Sequence, residues 1–104
     1  MKELIEQEKA FLEKHGFQCR DDGVWMRDDI DSSVTVEKED GWFRVRVCDS
    51  HSVYVGEGTE SDLTASIVKA CEDYQKQAEV VQSAHMDCDI LKWELEDEDV
   101  DSEG

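Results

Sequence analysis

Apolar positions near the start of the chain recur at helical spacing. Leu4, Ile5, Phe11, Leu12 and His15 share one face of residues 2–15, which predicts an amphipathic helix. Gly16 follows, where a left-handed residue ends a helix. Glu3, Glu6 and Glu8 early and Lys14 late suit the helix dipole.

The period then shortens to two. Residues 17–20 and 24–27 read as short strands around Asp21-Asp22-Gly23, a turn signal. Residues 33–38 alternate Val34 and Val36 with polar neighbours. Residues 42–48 alternate more sharply, Phe43, Val45 and Val47 against Trp42, Arg44, Arg46 and Cys48. Glu39-Asp40-Gly41 joins those two as a hairpin. Residues 52–56 make a further strand.

A second helix is expected from near Thr59 into the low 80s. Leu63, Ile67, Ala70, Cys71, Tyr74, Ala78 and Val81 carry its apolar stripe, and Thr59 with Asp62 resembles a capping box. Val55-Gly56-Glu57-Gly58 reads as the loop into that helix. Beyond it Leu91, Trp93 and Leu95 alternate with Lys92, Glu94 and Glu96, so 90–95 reads as a strand at a sheet edge.

These elements give an α+β fold. An antiparallel β-meander of about five strands carries an N-terminal and a C-terminal helix on one face. The other face is expected to show Lys38, Arg44, Arg46 and Tyr54. Residues 1–95 form one domain, and 96–104 form an acidic mobile tail.

Composition narrows the class. The chain has 104 residues, no Pro, and three Trp, three Phe and two Tyr, enough for a real core. No apolar run reaches the roughly 20 residues of a membrane span. The N-terminal segment is too charged for a secretory signal, so the protein is expected to be cytoplasmic. Cys19, Cys48, Cys71 and Cys88 are then expected to stay reduced.

Charge changes the picture most. The net charge is −17. From Val81 to Gly104 nine acids face one cation, Lys92. Such a field repels nucleic acid and anionic membranes and attracts basic proteins.

The candidate chemistry is sparse. Paired carboxylates in turns stay solvated and alike, whereas acid–base catalysis needs two unlike environments. No nucleophile elbow is present, and His15, His51 and His85 lie far apart. Glu57 and Glu60 flank the Gly-x-Gly segment without a Lys, which disfavours phosphate. Asp97, Asp99 and Asp101 have the spacing of a calcium loop, but Ser102 stands where Gly is needed. Cys48, His51, His85 and Cys88 are a zinc set only if the fold brings both halves together. The reading is a non-enzymatic protein without a cofactor.

The order helix, strands, helix is similar to a double-stranded-RNA-binding domain. That family's Lys-rich helix start is replaced here by Thr59, Glu60, Ser61 and Asp62, which disfavours RNA binding. In its small size, lack of Pro and acidity the whole chain resembles phage-encoded anti-defence proteins, including anti-CRISPR and anti-restriction DNA mimics. That resemblance implies stoichiometric inhibition of a basic, nucleic-acid-handling partner. Asp21, Asp22, Asp28, Asp29, Glu39 and Asp40 are expected to line one rim of the sheet. Glu94, Glu96 and Asp97 extend it, and Trp42 and Trp93 anchor the partner. The alternative is an acidic adaptor for protein–protein contacts, plain or stabilised by zinc.

Overall fold

The computed structural model describes residues 3–29, 31–49, 54–77 and 82–97. Helix α1 spans Glu6–Lys14. Strands β1 (Gln18–Cys19), β2 (Trp25–Asp28), β3 (Ser32–Glu39), β4 (Trp42–Asp49) and β5 (Val55–Glu60) follow. Helices α2 (Leu63–Gln77) and α3 (Gln82–Asp97) complete the order. The strands form one antiparallel sheet in sequence order. This is the expected α+β meander, with one helix more than expected.

Helix α1 ends as its sequence dictates. Gly16 takes φ +86°, its N–H bonds Glu13 O at 3.1 Å, and Phe17 N–H bonds Leu12 O at 2.9 Å. That pairing satisfies two terminal carbonyls and sets Phe17 against Leu12, both buried. Asp40 and Gly41 form the two-residue turn that pairs Glu39 with Trp42.

Register then sorts the faces. Val34, Val36, Phe43, Val45 and Val47 point to the helices and are buried. Thr35, Glu37, Arg44 and Arg46 occupy the open face, with Glu57 beside Arg46. Two expected members of that face lie elsewhere. Lys38 has the parity of Val36 and reaches Glu8 of α1 at 3.1 Å, over the Phe43 ring. Tyr54 packs on the core edge.

Asp62 caps helix α2, its side chain accepting from Ala65 N at 2.9 Å. Thr59 is no cap; it pairs with Arg44 inside β5. The Gly-x-Gly segment is likewise strand and not loop, because α2 lies directly on it. A Cβ on Gly56 would meet the backbone of Tyr74 and Ala70, and one on Gly58 the backbone of Ser66 and Ala70. Buried Ser66 closes this end, donating to Glu60 O at 3.0 Å and accepting from Glu60 N at 2.9 Å.

The expected edge strand at 90–95 is helix α3. Ala84, Cys88, Leu91 and Leu95 enter the core at i, i+4, i+7 and i+11. Trp93 imitated an alternating pattern because it is apolar yet faces outward. Helix α2 ends its described span at Gln77, so Ala78 and Val81 lie outside the described residues, as do residues 52 and 53 of the expected strand. Glu96 and Asp97 belong to α3, and 98–104 lie outside the described residues. Among the described residues no helix is long and apolar enough to cross a membrane.

Candidate protein-binding surface

The acidic positions do not converge on one rim. Successive turns of a meander alternate between the sheet's two ends. Asp21-Asp22, in the β1–β2 turn, and Glu39-Asp40, in the β3–β4 turn, share one end, with Trp42 beside them on the open face. Asp28-Asp29 closes β2 at the other end, where Asp28 pairs with Ser33. An eight-residue strand separates the two ends by about 26 Å.

Some of these acids are structural. Asp22 caps its own turn, accepting from Val24 N at 3.1 Å, and pairs with Arg20. Asp28 accepts the Ser33 hydroxyl at 2.8 Å. Asp29 and Glu94 converge on Arg27, whose Nε lies 3.0 Å from Asp29 Oδ1 and Nη1 3.0 Å from Glu94 Oε1. Arg27 also donates to His15 O at 2.8 Å, and His15 Nδ1 meets Glu94 Oε1 at 3.1 Å. The cluster ties α1, β2 and α3 together.

Its electrostatics are mixed. Burial pulls the Arg27 guanidinium down, but Glu94 and Asp29 outweigh this and hold it above its ordinary value. Burial pushes the Asp29 carboxyl up, and Arg27 only partly offsets it. Burial also pushes Glu94 up, yet the bonds from Arg27 and His15 prevail and leave it below its ordinary value. His15 Nε2 and Asp29 Oδ2 are buried without a hydrogen-bond partner among the described residues.

Other buried polar groups also serve the fold. Asp49 accepts the Tyr74 hydroxyl at 3.0 Å, and burial, then that bond, raises the Tyr74 phenol. Asp87 accepts from Asp31 N at 2.9 Å and from the Ser32 hydroxyl at 3.1 Å, pinning α3 to the start of β3. A hydrogen bond with Cys71, then burial, pushes the Cys88 thiol up.

The zinc set does not assemble. Cys48 lies opposite Ser33 and Val55 on the open sheet face. Cys88 is buried under α3 on the other face, so the sheet stands between them. His85 packs edge-on against Tyr74, and His51 lies outside the described residues. Among the described residues no group of three or more His, Cys, Asp or Glu side chains is placed to hold a metal ion.

The surface of α3 holds two apolar residues that pattern reading missed, Met86 and Ile90, beside the expected Trp93. Met86, Ile90 and Trp93 are 62%, 40% and 66% exposed. Their i, i+4, i+7 spacing places them on the side of α3 opposite Ala84, Cys88, Leu91 and Leu95. A cleft of ≈ 240 Å³ runs beside Trp93 between the two helices, lined by Val68, Glu72, Asp89, Lys92 and Glu96. Lys92 is held there by Gln75 at 2.7 Å and by Asp89 at 3.9 Å. The stripe is legible in the sequence once 82–97 is read as a helix. Of the expected site residues, Trp93 and Glu96 thus come together with Glu72 and Asp89. Asp97 is the last residue of α3.

No protein-family model matches this chain, and neither does any curated protein or solved structure.

Proposed function

We propose that this chain is a non-catalytic binding protein whose acidic surface blocks a basic, nucleic-acid-handling partner in the cytoplasm. The charge balance of the surface carries the reading. The chain has a net charge of −17. Its cations are largely engaged internally: Lys9, Arg20, Arg27, Lys38, Arg44, Arg46, Lys69 and Lys92 each lie within 4.0 Å of a carboxylate. Arg44 and Arg46, the prominent cations of the open sheet face, share Glu57. Exposed Glu3, Glu13, Asp21, Glu72 and Glu96 add negative charge at the surface. Such a field steers cationic partners inward and turns polyphosphates away. Inhibition by occupancy, as the resemblance to anti-defence mimics implies, requires no turnover.

The test is capture of partners from a bacterial lysate with elution by a salt gradient, then surface-plasmon kinetics across salt. Steering is screened beyond a Debye length of about 8 Å at physiological ionic strength, so association should slow steeply as salt rises. Glu72→Lys and Glu96→Lys should slow association further. Asp29 is unsuited to charge reversal because it pairs with Arg27. Affinity that is flat with salt and survives both reversals would refute the charge reading and leave an apolar adaptor.

A further inference from the structure

We propose that the outer face of α3 is the docking site for a basic amphipathic helix of the partner protein, which seats its apolar side on Met86, Ile90 and Trp93. The inference rests on the reading above, that the partner is basic, and adds where and how it binds.

Three observations lead to it. First, α3 is apolar on two opposite sides. One side fills the core; the other has no intramolecular cover among the described residues, and Trp93 is 66% exposed there. Single exposed apolar residues are ordinary, but three in one helical stripe on so polar a chain are not. Second, the stripe has the dimensions of a helix-docking seam. Met86 to Trp93 spans about 10 Å along the axis, the reach of two turns of a partner helix. Tryptophan is among the residues that most often dominate binding energy. Third, acids edge the stripe. Glu72, Asp89 and Glu96 line the cleft beside Trp93.

That edge decides the occupant. A second copy would bring the same acids against it and another net charge of −17, which opposes self-association. The chain's own residues 98–104 have Val100 as their one large apolar residue, among Glu98, Asp99, Asp101 and Glu103. That segment offers little to bury and is repelled. An anionic bilayer is repelled for the same reason. A helix with Leu or Ile on one side and Lys or Arg on its flanks satisfies both stripe and edge.

Two synthetic peptides of about 18 residues test this on the full chain. One places Leu at helical spacing with Lys and Arg elsewhere; the other has the same composition with the Leu positions scrambled. Binding is read by calorimetry and by the emission of Trp93, taken as the difference between the protein and Trp93→Phe. The amphipathic peptide should bind at least about tenfold more tightly than the scrambled one, and should shift Trp93 emission to the blue. Trp93→Ala and Ile90→Ser should each weaken it by about tenfold. Unchanged far-ultraviolet circular dichroism shows that those variants stay folded. Glu96→Lys should slow association.

Equal binding of the two peptides, indifferent to Trp93→Ala, overturns the docking site and leaves the charge reading standing. Failure of both peptides to bind at low salt overturns both readings. A dimer in solution that Trp93→Ala dissociates makes a second copy the occupant and overturns the proposal. A gain of about tenfold in peptide affinity from Val100→Ser makes the chain's own tail the cover and overturns it equally.

Discussion

Replacing Gly58 by Ala tests the close approach of α2 to β5. A methyl group on Gly58 would fall on the carbonyl oxygen of Ser66 and 2.7 Å from the backbone nitrogen of Ala70. Gly56 faces Tyr74 and Ala70 in the same way, with the Tyr74 Cα 2.6 Å from its added Cβ. Carbon contacts are optimal near 3.5–4.0 Å, so α2 must retreat by about 1 Å. Main-chain atoms of a helix cannot change rotamer to escape. A retreat of that size forfeits roughly a quarter to a half of each contact along the helix–strand seam. Overpacking costs about 1–3 kcal/mol, and the rigid neighbour puts Gly58→Ala at the top of that range. A Gly-to-Ala change also restricts the unfolded chain, which returns about 0.4–1 kcal/mol. The net loss is then about 2–2.6 kcal/mol, or a fall in Tm of roughly 10–20 °C for a domain this small. Thermal unfolding followed by far-ultraviolet circular dichroism measures it. Thr59→Ala, next to Gly58 and facing away from α2, is the matched control and should cost less than about 1 kcal/mol. If Gly56→Ala and Gly58→Ala both unfold within about 2 °C of the parent, α2 does not lie on β5 as described.

Arg27→Met should cost about 3–5 kcal/mol in urea unfolding, because Asp29, only 16% exposed, loses its counter-charge; adding Asp29→Asn should recover part of that loss. Glu94 is held below its ordinary value of 4.5, so the stability it contributes is present above pH 4.5 and is lost as pH falls through its lower folded value. Asp29, held above its ordinary value, acts in the opposite sense. Glu94→Gln should therefore flatten the acid side of the Tm–pH profile, and an unchanged profile would contradict the Arg27–Glu94–His15 contact. Metal analysis of fresh protein should find no stoichiometric zinc, and EDTA should leave Tm unchanged, because the sheet keeps Cys48 from Cys88; one zinc per chain would overturn that separation. Ending the chain after Asp97, beyond Leu95 as the last buried core residue, should move Tm by less than about 2 °C.

Local chemistry determined much of the fold. Gly16 ends α1, Asp40-Gly41 turns β3 into β4, and the alternation of residues 42–48 assigns the faces of the central strand. Each depends on neighbours a few residues away, so each is legible in the sequence. The acidity of the chain is equally a property of composition, and the proposal of a basic partner rests on it.

Tertiary structure decided the rest. Leu91, Trp93 and Leu95 alternate in sequence, and only the core could show that Trp93 lies outside it while Ala84 and Cys88 lie within. Gly56 and Gly58 read as a helix-entry loop until α2 was seen resting on them, 8–18 residues further along the chain. The acidic pairs are alike in sequence, yet turn parity sends Asp28-Asp29 to one end of the sheet and Asp21-Asp22 and Glu39-Asp40 to the other. Arg27 then draws Asp29 and Glu94 into the fold and leaves Glu72, Asp89 and Glu96 beside Trp93. Charge sums along a chain without regard to position, whereas recognition depends on which charges share a surface, and only packing places residues from Val68 to Glu96 around one cleft.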